Sequence, residues 1–137
     1  MSIYLGEKLY AGAFASGGGS GGGITVTNLY TGSLSDGYSA SLSDSYKNYD
    51  FLVAIAGISG SAQYQYSGFF SVADIPQSGI RQLYLATPFE LNTDNTMKNY
   101  CGMVVGIKDD TNIDVTSKHA GWQSGTLFRL IGIKISA

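Results

Sequence analysis

His119 is the only histidine and Cys101 the only cysteine of this 137-residue chain. These two residues therefore limit the imidazole, thiol and metal-binding chemistry that the chain can perform. A Ser-His-Asp hydrolase would combine His119 with Asp114 and a serine such as Ser117 or Ser124. The spacing does not support such a triad, and a single loop histidine is more often solvated or in contact with a ligand. One histidine and one cysteine do not complete a tetrahedral zinc site within one chain. We therefore predict no catalytic residue, no metal and no cofactor.

The densest acidic cluster offers oxygen ligands of the kind that calcium prefers; it consists of Asp109, Asp110, Asp114 and Asn112. It lacks the sixth-position glycine and the closing glutamate of an EF-hand, so we predict a solvated hairpin turn. Glycoside hydrolysis would need two facing carboxylates, and no pair of acids stands out. A small β-sandwich hydrolase that uses Glu90 or His119 remains an alternative.

The aromatic side chains are the most informative candidates for binding. Tyr and Trp rings offer a flat apolar face with a polar handle, which suits sugars and protein surfaces. We predict that Tyr64 and Tyr66 lie on one face of a strand spanning residues 62–66. Together with His119 and with Trp122, in a Gly/Ser-rich loop, they form the predicted ligand-binding set. Core or subunit contact is the alternative for each ring.

The tract at residues 16–23, SGGGSGGG, formally matches both G-x-G-x-x-G and G-x-S-x-G. Both motifs require a strand–turn–helix context, and no helical pattern follows the tract. Glycine also loses the most backbone entropy on ordering, so we interpret the tract as a linker. It separates an N-terminal attachment strand (1–15), in which Ile3 and Leu5 alternate with Tyr4 and Gly6, from a body (24–137).

Composition excludes several classes of function. The net charge of −2 leaves no basic footprint for nucleic acid. The longest apolar run, 51–58, is too short for the roughly 18 residues of a membrane span. The single cysteine excludes a disulfide framework and fits synthesis in a reducing cytosol. The length allows one domain with a short appendage.

Period-two alternation recurs through the body and predicts an all-β fold, an antiparallel β-sandwich or jelly-roll-like domain. Gly32 and Gly37 mark the first turn, after a strand that starts at Ile24. Residues 43–49 predict a brief helical turn with Ser43 or Asp44 as its N-cap. The run 51–56 predicts a central strand buried on both faces.

Three segments resemble the C-terminal β-sandwich domains of phage and prophage tail-fibre and baseplate proteins: Leu29–Ser33, Tyr38–Val53 and Leu130–Ile135. The N-terminal Ile3–Leu9, followed by the glycine tract, is similar to the N-terminal attachment segment of small phage tail proteins. The segments touch both ends of the chain and the first third of the body, whereas residues 57–125 carry no matching motif. No catalytic residue is implied by this resemblance.

The resemblance implies a non-enzymatic virion protein of the tail, made in the host cytoplasm. It implies a homotrimer that binds a host cell-surface glycan and contacts other tail proteins through its N-terminal segment, with no nucleic acid and no membrane insertion. A free-standing lectin-like module and a capsid-decorating fibre are the alternatives outside enzymes.

Overall fold

The computed structural model describes residues 23–136. The predicted attachment strand (1–15) and residues 16–22 of the predicted linker lie outside this range. Within it the chain forms nine β-strands: β1 (Gly23–Ser35), β2 (Ser39–Ser41), β3 (Phe51–Ile58), β4 (Gln65–Ser71), β5 (Gln82–Tyr84), β6 (Phe89–Leu91), β7 (Met97–Asp109), β8 (Asn112–Ala120) and β9 (Gly125–Ser136). Two short 3₁₀ turns, Tyr46–Asn48 and Val72–Asp74, interrupt them. Among these residues no helix has the length and apolar character needed to cross a membrane.

The strands form two antiparallel sheets, which confirms the predicted all-β sandwich. The first sheet has the order β1-β9-β3-β4 and the second the order β2-β8-β7-β5, with β6 also paired to β7. The β3–β4 and β7–β8 hairpins each stay within one sheet. The jelly-roll-like form of the prediction is therefore not established by this connectivity.

The core lies between the two sheets and follows from the alternation of the strands. Leu52, Ala54 and Ala56 of β3 are fully buried, and their partners on the second sheet include Val105 and Ile113. Successive residues of a strand point to opposite faces, so each inner row is apolar. Each large buried side chain stabilises the fold by roughly 1.5–3 kcal/mol.

Strand β3 is central, as predicted, because it is hydrogen-bonded between β9 and β4. The prediction that both of its faces are buried is wrong. Phe51, Val53 and Ile55 alternate with the core residues and remain half-buried on the outer face of the first sheet. The apolar run reflects an apolar outer surface rather than a second covering layer.

The first strand is longer than the sequence suggested. Gly23, which we assigned to the linker, pairs with Ser136 and starts β1. Gly32 does not form a turn but lies within β1, next to an irregularity in its pairing with β9. The chain turns at Gly37, whose φ of +83° lies in the left-handed region that glycine tolerates.

The predicted helical turn exists as Tyr46–Asn48, but its N-cap is Ser45. The Ser45 hydroxyl accepts the Lys47 N–H at 3.3 Å. The Asp44 carboxylate instead accepts the Tyr49 hydroxyl at 3.0 Å and the Ser45 N–H at 2.8 Å. These hydrogen bonds, the Tyr49 bond first, hold the pKa of Asp44 below its usual value. Asp44 therefore lies one position before the cap, where it binds the Tyr49 hydroxyl at the end of the turn.

The sandwich is closed along one side. The segment between β5 and β6 crosses toward β4, where the Ala86 N–H donates to the Ser67 carbonyl at 3.2 Å. This bond joins the edges of the two sheets, and it brings Pro88 close to one end of the first sheet.

Candidate functional site

The structure contains an open cleft of about 530 Å³ at one end of the sandwich. Three connections meet there: the β3–β4 turn, the β5–β6 segment and the β8–β9 loop. The lining residues are Ile58, Ser59, Tyr64, Gln65, Pro88 and Trp122. The cleft therefore brings together Tyr64 and Trp122, two of the four predicted ligand-binding residues.

The turn after β3 determines where Tyr64 lies. Ser59 and Gly60 have φ values of +58° and +70° in succession, a pattern typical of a type I′ hairpin turn. The Ser61 N–H donates to the Ile58 carbonyl at 3.0 Å and closes this turn. A second tight turn follows, and the Ile58 N–H donates to the Tyr64 carbonyl at 3.1 Å. The Tyr64 side chain is left 60% exposed at the mouth of the cleft.

Trp122 forms the opposite wall of the cleft, just beyond β8. Gly121 precedes it with a φ of +73°, which redirects the chain as it leaves the second sheet. The Ser59 N–H donates to the Ser124 carbonyl at 3.1 Å and ties the two loops together. Trp122 is half-buried and packs against the core. One part of its ring is thereby fixed while the rest lines the cleft.

The chemistry of the cleft is apolar and aromatic, with a few polar groups. Ile58, Pro88 and the two aromatic rings supply flat apolar surface, while Ser59 offers a hydroxyl and Gln65 an amide. None of the six lining side chains carries a charge at neutral pH. Such a site suits a small neutral ligand with an apolar face and hydroxyl groups.

The structure separates the two tyrosines that we expected on one face. Tyr64 belongs to the turns before β4, which starts only at Gln65, whereas Tyr66 points into the core and is 8% exposed. The Tyr66 hydroxyl lies 3.5 Å from the Cys101 sulfur. Burial, and then this contact, raises the pKa of Tyr66. Tyr66 is a core residue and does not line the cleft, so the structure places it apart from Tyr64 and Trp122.

His119 also lies away from the lining of the cleft. It is exposed near the end of β8, opposite Cys101 of β7. Glu90 lies on β6, where its carboxylate accepts the Asn99 side-chain amide at 2.6 Å and pairs with Lys98 at 3.4 Å. The structure does not bring His119 and Glu90 to the cleft.

The acidic cluster forms a hairpin turn between β7 and β8. The Asp109 carboxylate accepts the Thr111 N–H and the Asn112 side-chain amide, both at 2.9 Å. These bonds, the Thr111 bond first, lower the pKa of Asp109. Asp110 pairs with Lys47 at 3.1 Å. Among residues 23–136, no group of three or more His, Cys, Asp and Glu side chains is arranged to hold a metal ion.

Four lining residues were missed by sequence reasoning: Ile58, Ser59, Gln65 and Pro88. The Ser59-Gly60 pair was the available signal, because a strand followed by such a dipeptide indicates a tight hairpin. A hairpin there would have moved Tyr64 out of the strand. Pro88 had no local signal, since its position depends on the β5–β6 segment crossing between the sheets.

The cleft and the N-terminal end of the described chain lie at opposite ends of the first sheet. Gly125, the first residue of β9, pairs with Ile58 at the cleft, whereas Ser136, the last, pairs with Gly23. Twelve residues of strand separate them, which is roughly 36 Å at about 3.3 Å per residue.

No protein-family model matches this chain, and no curated protein matches it significantly. The resemblance to phage tail proteins therefore stays a prediction.

Proposed function

We propose that this protein is a non-enzymatic binding protein whose cleft holds a neutral sugar of a cell-surface glycan. The observation that carries the proposal is the pairing of Tyr64 and Trp122 in one uncharged cleft. Aromatic rings bury the apolar face of a sugar, while Gln65 and Ser59 hydrogen-bond its hydroxyl groups. An acidic sugar would find no cation among the lining side chains.

We further propose that the protein is the receptor-binding tip of a phage tail fibre. The resemblance at residues 29–33, 38–53 and 130–135 supports this role. The position of the cleft also supports it, because residues 1–22 join the sandwich at the opposite end of β9. A segment attached to other tail proteins would then leave the cleft facing away from the virion.

In this proposal the protein acts as a homotrimer in the virion tail, after synthesis in the host cytoplasm. A shallow sugar site binds weakly on its own, and several copies on one fibre convert weak binding into avidity. A free-standing lectin-like module shares the cleft and differs only in what residues 1–15 do.

Calorimetric or NMR titration with monosaccharides tests the sugar site. We expect glucose, galactose, mannose or N-acetylglucosamine to bind, and glucuronic and sialic acids to bind at least about ten-fold more weakly. Trp122→Ala and Tyr64→Ala should each weaken binding about ten-fold or more. Tyr38→Ala is the matched control, because Tyr38 is 66% exposed but lies outside the cleft. No binding by any sugar, or equal loss in the control, contradicts the proposal.

Removal of residues 1–15 distinguishes the role of tail protein from that of free-standing lectin. In either role the shortened chain should retain sugar binding. If the protein is a tail protein, the shortened chain should no longer be incorporated into virions. Normal incorporation of the shortened chain would contradict the tail assignment and leave the sugar site in place.

A further inference from the structure

The outer face of the first sheet carries a continuous row of apolar side chains across all four strands. The cross-strand pairs Ile24↔Ile135, Val26↔Ile133, Phe51↔Ile133 and Val53↔Phe69 set this register. The apolar outer face, as we call it, consists of Ile24, Val26, Phe51, Val53, Ile55, Phe69, Ile131, Ile133 and Ile135.

These nine side chains lie outside the core cluster between the sheets. Two of them on the central strand β9, Ile131 and Ile133, are already buried in the single chain, at 9% and 7% exposure. Phe69 is 50% and Ile135 37% exposed, and Phe51, Val53 and Ile55 are half-buried. The Phe51 and Phe69 rings stack with centroids 5.1 Å apart. The face is therefore ordered by contacts among its own side chains while part of its apolar surface stays accessible.

The outward positions of these four strands carry a single charged side chain, Arg129. Its guanidinium donates to the Asn28 side-chain oxygen at 2.8 Å. An antiparallel sheet that faces water is usually polar on that side, so this face departs from the ordinary pattern. A lipid headgroup or a nucleic acid would need several cations, whereas the face offers only Arg129, which is already hydrogen-bonded to Asn28. An apolar protein surface is the partner that its chemistry fits.

We propose that the apolar outer face is the contact through which copies of this chain associate. A flat apolar sheet packs best against another flat apolar sheet, about 10 Å away, with interdigitating side chains. A second copy offers that surface. Arg129 lies toward the cleft end of β9 and Ile135 toward the other end, so a two-fold axis perpendicular to the strands keeps the two arginines apart. In a trimer, the β1–β9 half of one face would contact the β3–β4 half of the next.

The size of the face sets the expected strength of this contact. Four strands at about 4.8 Å spacing, over about seven residues at about 3.3 Å each, cover roughly 440 Å². A standard interface buries about 800 Å² on each partner. The face therefore reaches about half of that area, which fits a weak, concentration-dependent association. This inference assigns a surface to the oligomer of the proposed function and rests on that proposal for the number of copies alone.

Sedimentation velocity of the full chain, from about 1 to 300 µM, tests the inference against the variant Val53→Lys. We expect the wild-type protein to shift to a multiple of its 14.5 kDa mass. Val53→Lys should raise the midpoint concentration of association at least about ten-fold, because a lysine at the centre of the face must lose its water.

Val104→Lys is the matched control. Val104 is likewise a half-buried valine on a central strand, but it faces outward from the second sheet. The Val104→Lys variant should associate like the wild-type protein. If Val53→Lys fails to fold by circular dichroism, Phe69→Lys, at the exposed edge of the same face, replaces it.

A wild-type protein that stays monomeric over the whole concentration range overturns the inference. Normal association of Val53→Lys also overturns it, and so does a Val104→Lys variant whose association is weakened as much as that of Val53→Lys. Sugar titration of the monomeric variant keeps the two proposals separate, since a single cleft should retain its affinity.

Discussion

The outer faces of the two sheets differ in a way that their inner faces do not. Both inner faces are apolar and share one core. The outer face of the second sheet mixes polar and small residues, such as Gln82 and Thr116, with the exposed rings of Tyr84 and Phe89. The outer face of the first sheet instead presents isoleucine, valine and phenylalanine in a row that crosses all four strands. That row is the surface through which we propose that copies associate.

The inner faces differ from each other in their buried hydroxyl groups. The second sheet contributes Ser117, whose hydroxyl donates to the Gly102 carbonyl at 3.0 Å and accepts the Gly125 N–H at 2.8 Å. The first sheet contributes Tyr66, which reaches Cys101 on the second. Each hydroxyl links the two sheets.

Adjacent residues of β9 should give the largest contrast between the inner and outer faces. Leu130 is 1% exposed in the core, and Leu130→Ala should lower the free energy of unfolding by about 3–4 kcal/mol at any protein concentration. Ile131 lies on the apolar outer face and is 9% exposed in the single chain, so Ile131→Ala should also lower the free energy of unfolding, but by an amount that grows as copies associate. Urea unfolding at two protein concentrations measures both. If Ile131→Ala lowers the free energy of unfolding by the same amount at both protein concentrations, the two faces do not differ in the way we propose.

Ser117→Ala should have an intermediate effect. The substitution leaves the buried Gly125 N–H without its acceptor, which costs about 1–3 kcal/mol in the free energy of unfolding. Ser41→Ala is the control, because the Ser41 hydroxyl donates to Asn112 at the surface and its loss should stay within about 0.5 kcal/mol. Equal losses in the two variants would show that the link between the sheets adds nothing.

Tyr66→Phe should have the smallest effect, and it should depend on pH. In the unfolded chain a tyrosine loses its proton near pH 10. Because burial raises the pKa of Tyr66, the folded state keeps that proton, and the free energy of unfolding falls as pH rises above about 10. The fall is at most about 1.4 kcal/mol per pH unit. Urea unfolding between pH 9 and 11 should show a shallower decline in Tyr66→Phe; parallel declines would contradict this.

Much of the fold followed from the alternation of the sequence. The all-β sandwich, the central position of β3 and the turn near Tyr46 are all local consequences of period-two patterning and capping residues. The errors came from partners that the local pattern does not reveal, one distant in the chain and one only five residues away. Gly32 stays in β1 because β9 pairs alongside it, and Asp44 leaves the capping position because the Tyr49 hydroxyl reaches it.

The candidate site was less predictable than the fold. The sequence supplied the aromatic residues, and the cleft contains Tyr64 and Trp122. It did not distinguish Tyr64 from Tyr66, because one tight turn decides which ring faces the core. The apolar run in β3 predicts that both faces of the strand are buried, and the structure shows only one buried face. A sequence pattern gives the polarity of a face and not what covers it.

The position of β9 has a consequence for biosynthesis. This strand is hydrogen-bonded between β1 and β3, yet it follows the other eight strands of residues 23–136. The middle of the first sheet stays open during translation until the ribosome has released residues 125–136. Pairing of β1 with β9 then closes a loop of roughly a hundred residues, which favours slow folding and prolonged exposure of the sheet edges to chaperones.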